Sequence, residues 1–88
     1  MKMQAAVVKE QGVTFAVVMV RQEVTMYSVR AIKARNELSR VFKVPVILLS
    51  FDNNNQPHYY GRKDIVEFLK SIRVEQIPFR QYDLVPVY

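Results

Sequence analysis

Apolar residues gather at two stretches that do not alternate. Val13 to Val20 is apolar apart from Thr14, and Val44 to Leu49 is apolar apart from Pro45. A strand buried on one face alternates apolar with polar, whereas a strand covered on both faces has no polar set, so both stretches read as strands inside a sheet. Met3 to Lys9 reads as a strand joined to the first of these through Glu10-Gln11-Gly12, whose glycine permits a positive φ in a hairpin turn. After Arg21 to Thr25, a polar crossing, Tyr27, Ala31, Ala34, Leu38, Val41 and Phe42 recur at helical spacing on one arc. They predict a helix from about Met26 to Phe42 packed on the sheet, with Thr25 or Ser28 as its cap. On the far side Val29 and Ile32 stand among Lys33, Asn36, Arg40 and Lys43.

Pro45 opens the second buried strand, where a missing N–H is tolerated. The polar run Asp52 to Gln56, with three consecutive asparagines, predicts a turn into an antiparallel strand Pro57 to Tyr60, and Pro57 places that strand at an edge. Gly61 ends it. Ile65, Phe68, Leu69 and Ile72 then follow the i, i+3, i+4, i+7 pattern of a second helix reaching about Arg73, which Ile77-Pro78 terminates. Phe79 to Val85 reads as a last short strand. The order strand, strand, helix, strand, strand, helix, with this final strand, predicts a single α+β domain over residues 1–88: a mixed sheet with both helices packed on it.

Several chemistries fall away on composition. Without cysteine the chain has no disulfide, thiolate nucleophile or cysteine zinc site, which suits a reducing cytoplasm. Its apolar runs are far shorter than the roughly 20 residues that span a bilayer, and Met1 to Gln4 leads into a strand without the segments of a secretory leader. Cytoplasmic localisation is expected. His58 is the single histidine, so no metal set and no cofactor is expected. Ser50, Asp52 and His58 are the residue types of a hydrolase triad, but they fall within one hairpin, with no strained nucleophile turn before a helix. With Gly12 and Gly61 as its two glycines, the chain has no phosphate-cradling loop either. The expectation is a protein that is not an enzyme.

Resemblances are local. Val44 to Leu49, Tyr59-Tyr60-Gly61-Arg62 and Ile65 to Leu69 resemble the closing half of thioredoxin-like domains, whose redox chemistry needs the cysteines absent here. The hairpin, helix and buried strand are similar to the core of restriction-endonuclease-like nucleases. In that family the second hairpin arm carries Glu-x-Lys for metal and water; here Met19-Val20-Arg21 stands in its place, so the resemblance implies no metal-assisted cleavage. The pattern from Gln11-Gly12-Val13 to Ile77-Pro78 resembles a small family of uncharacterised bacterial proteins, which implies no function.

Two functional classes stay open. One is a non-enzymatic interaction domain, self-associating or binding another protein, through Val29 and Ile32, the Pro57 to Tyr60 edge, or the tail with Leu84, Val85, Val87 and Tyr88. The other uses the formal charge of +5, spread over thirteen basic residues in runs of no more than two. Arg62 and Lys63 fall in the first turn of the second helix, where the helix dipole disfavours cations by about 0.3–1 kcal/mol each. Beside the free N–H groups at Gly61 they would form an anion site for nucleic acid or a phosphate-bearing ligand, with His58, Tyr59, Tyr60, Arg30, Lys33 and Arg40 as contributors. Because no residue set can hold a structural ion, excess EDTA is expected to leave the melting temperature and the helical circular dichroism unchanged.

Overall fold

The computed structural model describes residues 2–10 and 12–83. The tail residues Leu84, Val85, Val87 and Tyr88 lie outside the described residues. β1 (Lys2–Glu10) and β2 (Val13–Met19) form the expected hairpin, antiparallel from Ala5↔Val18 to Glu10↔Val13, with Gly12 at φ 78° in the turn. β3 (Val46–Phe51) runs parallel to β2, from Ala16↔Val46 to Met19↔Leu49. β4 (Pro57–Tyr60) pairs antiparallel with β3, and β5 (Arg80–Asp83) pairs antiparallel with β1. The resulting mixed sheet has the order β4-β3-β2-β1-β5, so Pro57 stands on an edge strand and the two apolar strands lie adjacent inside.

Both faces of that central pair are covered. Phe15, Val17, Ile47 and Leu49 point to one face, where Ile65 and Leu69 of α3 (Lys63–Lys70) and Ile77 close over them. Ala16, Val18, Val46 and Leu48 point to the other, against Ala31 and Leu38 of α2 (Ser28–Phe42). Each fully buried leucine or valine here contributes about 1.5–3 kcal/mol relative to exposure. Ala5, Ala16 and Ala31 are all completely buried, and such small side chains let a helix backbone approach the sheet closely. Edge-to-face rings secure both layers, Phe15 on Phe68 at 6.4 Å and Phe42 on Tyr82 at 5.5 Å.

The first helical region departs from expectation. Instead of one helix from about Met26, a short α1 (Gln22–Met26) occupies most of the expected polar crossing, and Tyr27, extended at φ −116° and ψ 120°, separates it from α2. Thr25 caps nothing: its hydroxyl donates to the Gln22 carbonyl at 3.0 Å and lies 2.7 Å from Ser50 Oγ. That contact ties α1 to the end of β3, and the backbone turns at Tyr27 before α2 can lie along the sheet. Ser28 does not cap either; the Tyr27 carbonyl receives the Ala31 N–H at 3.0 Å. Tyr27 and Val41, expected against the sheet, are instead exposed, Tyr27 because it lies outside the helix and Val41 because it falls at the rim of the buried arc. α3 also stops sooner than expected, at Lys70. Ser71 Oγ donates back to the Phe68 carbonyl, and a 3-10 turn (Val74–Gln76) carries the chain to Ile77.

Gly61, between β4 and α3, packs directly on β3. A Cβ there would meet Ile47 Cδ1 and come within 3.1 Å of the Val46 carbonyl oxygen, whereas one on Gly12 would meet nothing within 4 Å. Gly61→Ala is therefore expected to lower stability by about 1–3 kcal/mol through overpacking, and Gly12→Ala by about 1 kcal/mol through its positive φ alone. Urea denaturation of both variants checks the order.

Candidate functional site

The start of α3 has a different charge arrangement from the one expected. Arg62 occupies the N-cap position and Lys63 the first helical position, so the helix starts one residue later than a cap at Gly61 would place it. Arg62 Nε and Nη2 donate to Asp64 Oδ1 and Oδ2, both at 2.8 Å, a two-pronged pairing that raises the arginine and holds the Asp64 carboxyl below its ordinary range. Asp64 thus gives the first turn a favourable negative charge and occupies the guanidinium edge that an anion would need.

The expected contributors do not converge on this place. Arg30, Lys33 and Arg40 stand on α2, across the sheet from α3. His58 and Tyr60 are opposite Ser50 and Leu48 in the β3–β4 register, which puts them on the α2 side as well. Arg35 holds Tyr60 there, its guanidinium 5.6 Å from the ring centroid and its Nε donating to the Val46 carbonyl at 3.2 Å. Tyr59 alone of this strand packs on the α3 side. Its hydroxyl is buried with no partner among the described residues, and burial, followed by the charge of Glu75, pushes its pKa up.

Two features on the α2 side contain residues singled out from the sequence. The first is the outer face of α2, where Val29 is 77% and Ile32 48% exposed along a groove of about 400 Å³ with Lys33, Asn36, Glu37 and Arg40. Met26 and Tyr27 extend the exposed apolar surface, and Arg30 lies 5.3 Å from the Tyr27 ring centroid.

The second is a cleft of about 320 Å³ below α1, lined by Gln22, Thr25, Met26, Ser50, His58 and Tyr60 with Tyr59 beside them. Period-2 alternation along β3 and β4 brings Ser50 and His58 face to face, and the 52–56 turn folds Asp52 back to His58. Asp52 Oδ1 accepts the N–H groups of Asn54 and Gln56 at 2.9 Å each, Asn55 takes the left-handed φ of 64°, and Asp52 Oδ2 lies 2.8 Å from His58 Nε2. The His58 contact, then the Gln56 N–H, hold the Asp52 carboxyl below its ordinary 3.8. The three triad residue types therefore share one face of the sheet, but Ser50 bonds Thr25 and makes no hydrogen bond to His58. A nucleophile without a base beside it has no route for its proton. Gln22 and Thr25 were missed as site residues because α1 was read as a polar crossing; Ser50, the one polar side chain inside an apolar strand, was the available clue.

Among the described residues no three histidine or acidic side chains gather as a metal set, and no helix is long and apolar enough to cross a membrane. No protein-family model matches the chain, and no curated protein or solved structure is similar to it.

Asp52 and Asp64, both depressed in the folded state, give a pH dependence of definite sign. Their contribution is complete above the unfolded-state carboxylate value and is lost as pH falls through the lower folded values. The urea midpoint of the parent should drop between about pH 4 and pH 2, and an Asp52→Asn, Asp64→Asn double variant should show a shallower drop over the same interval.

Proposed function

We propose that the protein is a non-enzymatic interaction domain whose contact surface is the outer face of α2, and that this face receives an acidic protein segment carrying apolar side chains. The observation that carries this reading is the exposure of Val29 and Ile32 in the middle of a cationic row. Arg30, Lys33, Arg40 and the C-cap residue Lys43 are all exposed, against Glu37 as the single acid on α2. Apolar side chains at the centre of such a face reward a partner that brings apolar contacts as well as negative charge. Nucleic-acid phosphates gain nothing from Val29 or Ile32. A second copy of the chain meeting this one through α2 would bring like charges together, which opposes self-association at this surface. The cytoplasm is the compartment we assign to the module, since its chain contains no cysteine to oxidise.

A synthetic helical peptide with glutamate on one face and leucine on the other serves as the probe. Amide shifts should map to 29–40, affinity should fall about tenfold in a Val29→Ser, Ile32→Ser variant, and added salt should weaken binding only partly. Unchanged affinity in that variant would overturn the proposal. So would tighter, steeply salt-dependent binding of a single-stranded oligonucleotide, which would favour the phosphate-binding alternative.

A further inference from the structure

The cleft below α1 lies over the carboxyl end of β3 and the antiparallel edge strand β4 paired with it. β2 leaves the sheet there, with the Val20 N–H donating to the Leu49 carbonyl at 2.8 Å, and α1 forms the roof. A volume of about 320 Å³ suits a small ligand.

The hydroxyl protons in this cleft can be assigned by counting. Thr25 has one hydroxyl proton and gives it to the Gln22 carbonyl. The Ser50–Thr25 contact at 2.7 Å must then use the Ser50 proton, because Thr25 has none left to give. Ser50 lines the cleft and is 1% exposed, and its Oγ keeps acceptor capacity that no donor among the described residues uses. His58 follows the same logic. In the tautomer whose Nε2–H donates to ionised Asp52, Nδ1 is left as an acceptor. The Gln22 side-chain amide makes no hydrogen bond to the described residues and offers one acceptor and one donor edge.

We infer that this cleft is a binding site for a small, uncharged, planar ligand bearing a ring-bound amino group, the hydrogen-bond-donor edge that adenine-type and cytosine-type bases present. Ser50 Oγ accepts from the amino group, Gln22 pairs with the adjoining edge, and His58 and Tyr60 supply flat walls against which a ring packs. A ligand with a carbonyl at the same position sets its oxygen against an acceptor whose own proton is committed to Thr25, a buried mismatch that disfavours binding.

Uncharged nucleosides separate this site from the chain's general attraction for anions. Cytidine and adenosine are expected to shift the amide resonances of Thr25, Ser50 and His58 saturably. Uridine and inosine, with a carbonyl in place of the amino group, should bind about tenfold more weakly. Thr25→Val removes the oxygen that takes the Ser50 proton, so the Ser50 hydroxyl becomes a donor into the cleft and the preference reverses toward uridine and inosine. Ser50→Ala, which leaves α1 and its Thr25–Gln22 bond intact, should abolish the discrimination in either direction. Equal binding of all four nucleosides, no saturable shift with any of them, or a preference unaltered in both variants would overturn the assignment. Peptide binding on α2 is a separate readout and should be unchanged in Ser50→Ala.

Discussion

The parallel pairing of β2 with β3 governs the architecture. Parallel neighbours cannot be joined by a tight turn, so the chain must leave the sheet after Met19, cross one face and return at Val46. The two strands are apolar on both faces, which makes a single covering helix insufficient. α2, part of the crossover itself, covers the face with Ala16, Val18, Val46 and Leu48; α3, placed after the β3–β4 hairpin, covers the face with Phe15, Val17, Ile47 and Leu49. In a chain of 88 residues this leaves little cover for the helices' own outer sides, so apolar residues such as Val29 and Ile32 remain at the surface.

The crossover is long enough to include an extra turn of helix, and the Thr25–Ser50 contact gives that turn its position. A buried serine in an apolar strand costs free energy unless its hydroxyl is paired, and Thr25 is the group that pairs it. Pairing Ser50 brings α1 against the end of β3, and the extended residue Tyr27 then separates α1 from α2. The same break turns Met26 and Tyr27 outward. One hydroxyl pair thus accounts for the roof of the cleft and for the apolar end of the α2 surface.

The strands were legible because their information is local. Val13 to Val20 and Val44 to Leu49 could be read as doubly covered without knowing what covers them, Pro57 marked an edge, and Gly12 and the asparagines marked turns. The α+β class followed from the order of elements. The placement of α2 and α3 on opposite faces was implicit in those doubly apolar strands, but the periodicity of a helix says which side is buried and not which face of a sheet receives it. That undetermined choice is why Arg62 and Lys63 were grouped with Arg30, Lys33 and Arg40 in one basic site when a sheet separates them. The break at Tyr27 was illegible for a related reason: it depends on a contact between Thr25 and Ser50, which are twenty-five residues apart in sequence.

The charges that the sheet separates also differ in what they are free to do. At the start of α3, Arg62 is engaged two-pronged by an aspartate two residues away, so the chain itself supplies the anion at the one helix start where cations cluster. On α2 the exposed cations face outward beside hydrophobic side chains, and the only inward arginine, Arg35, is committed to Tyr60 and the Val46 carbonyl. Arg35 ties β4 to α2 through Tyr60, while the β3–β4 pairing sets His58 opposite Ser50. Positive charge therefore does structural work inside this layer and stands exposed beside apolar side chains outside it. The cleft between the two is lined by neutral hydroxyl and amide groups and an imidazole, which selects by hydrogen-bond direction rather than by net charge.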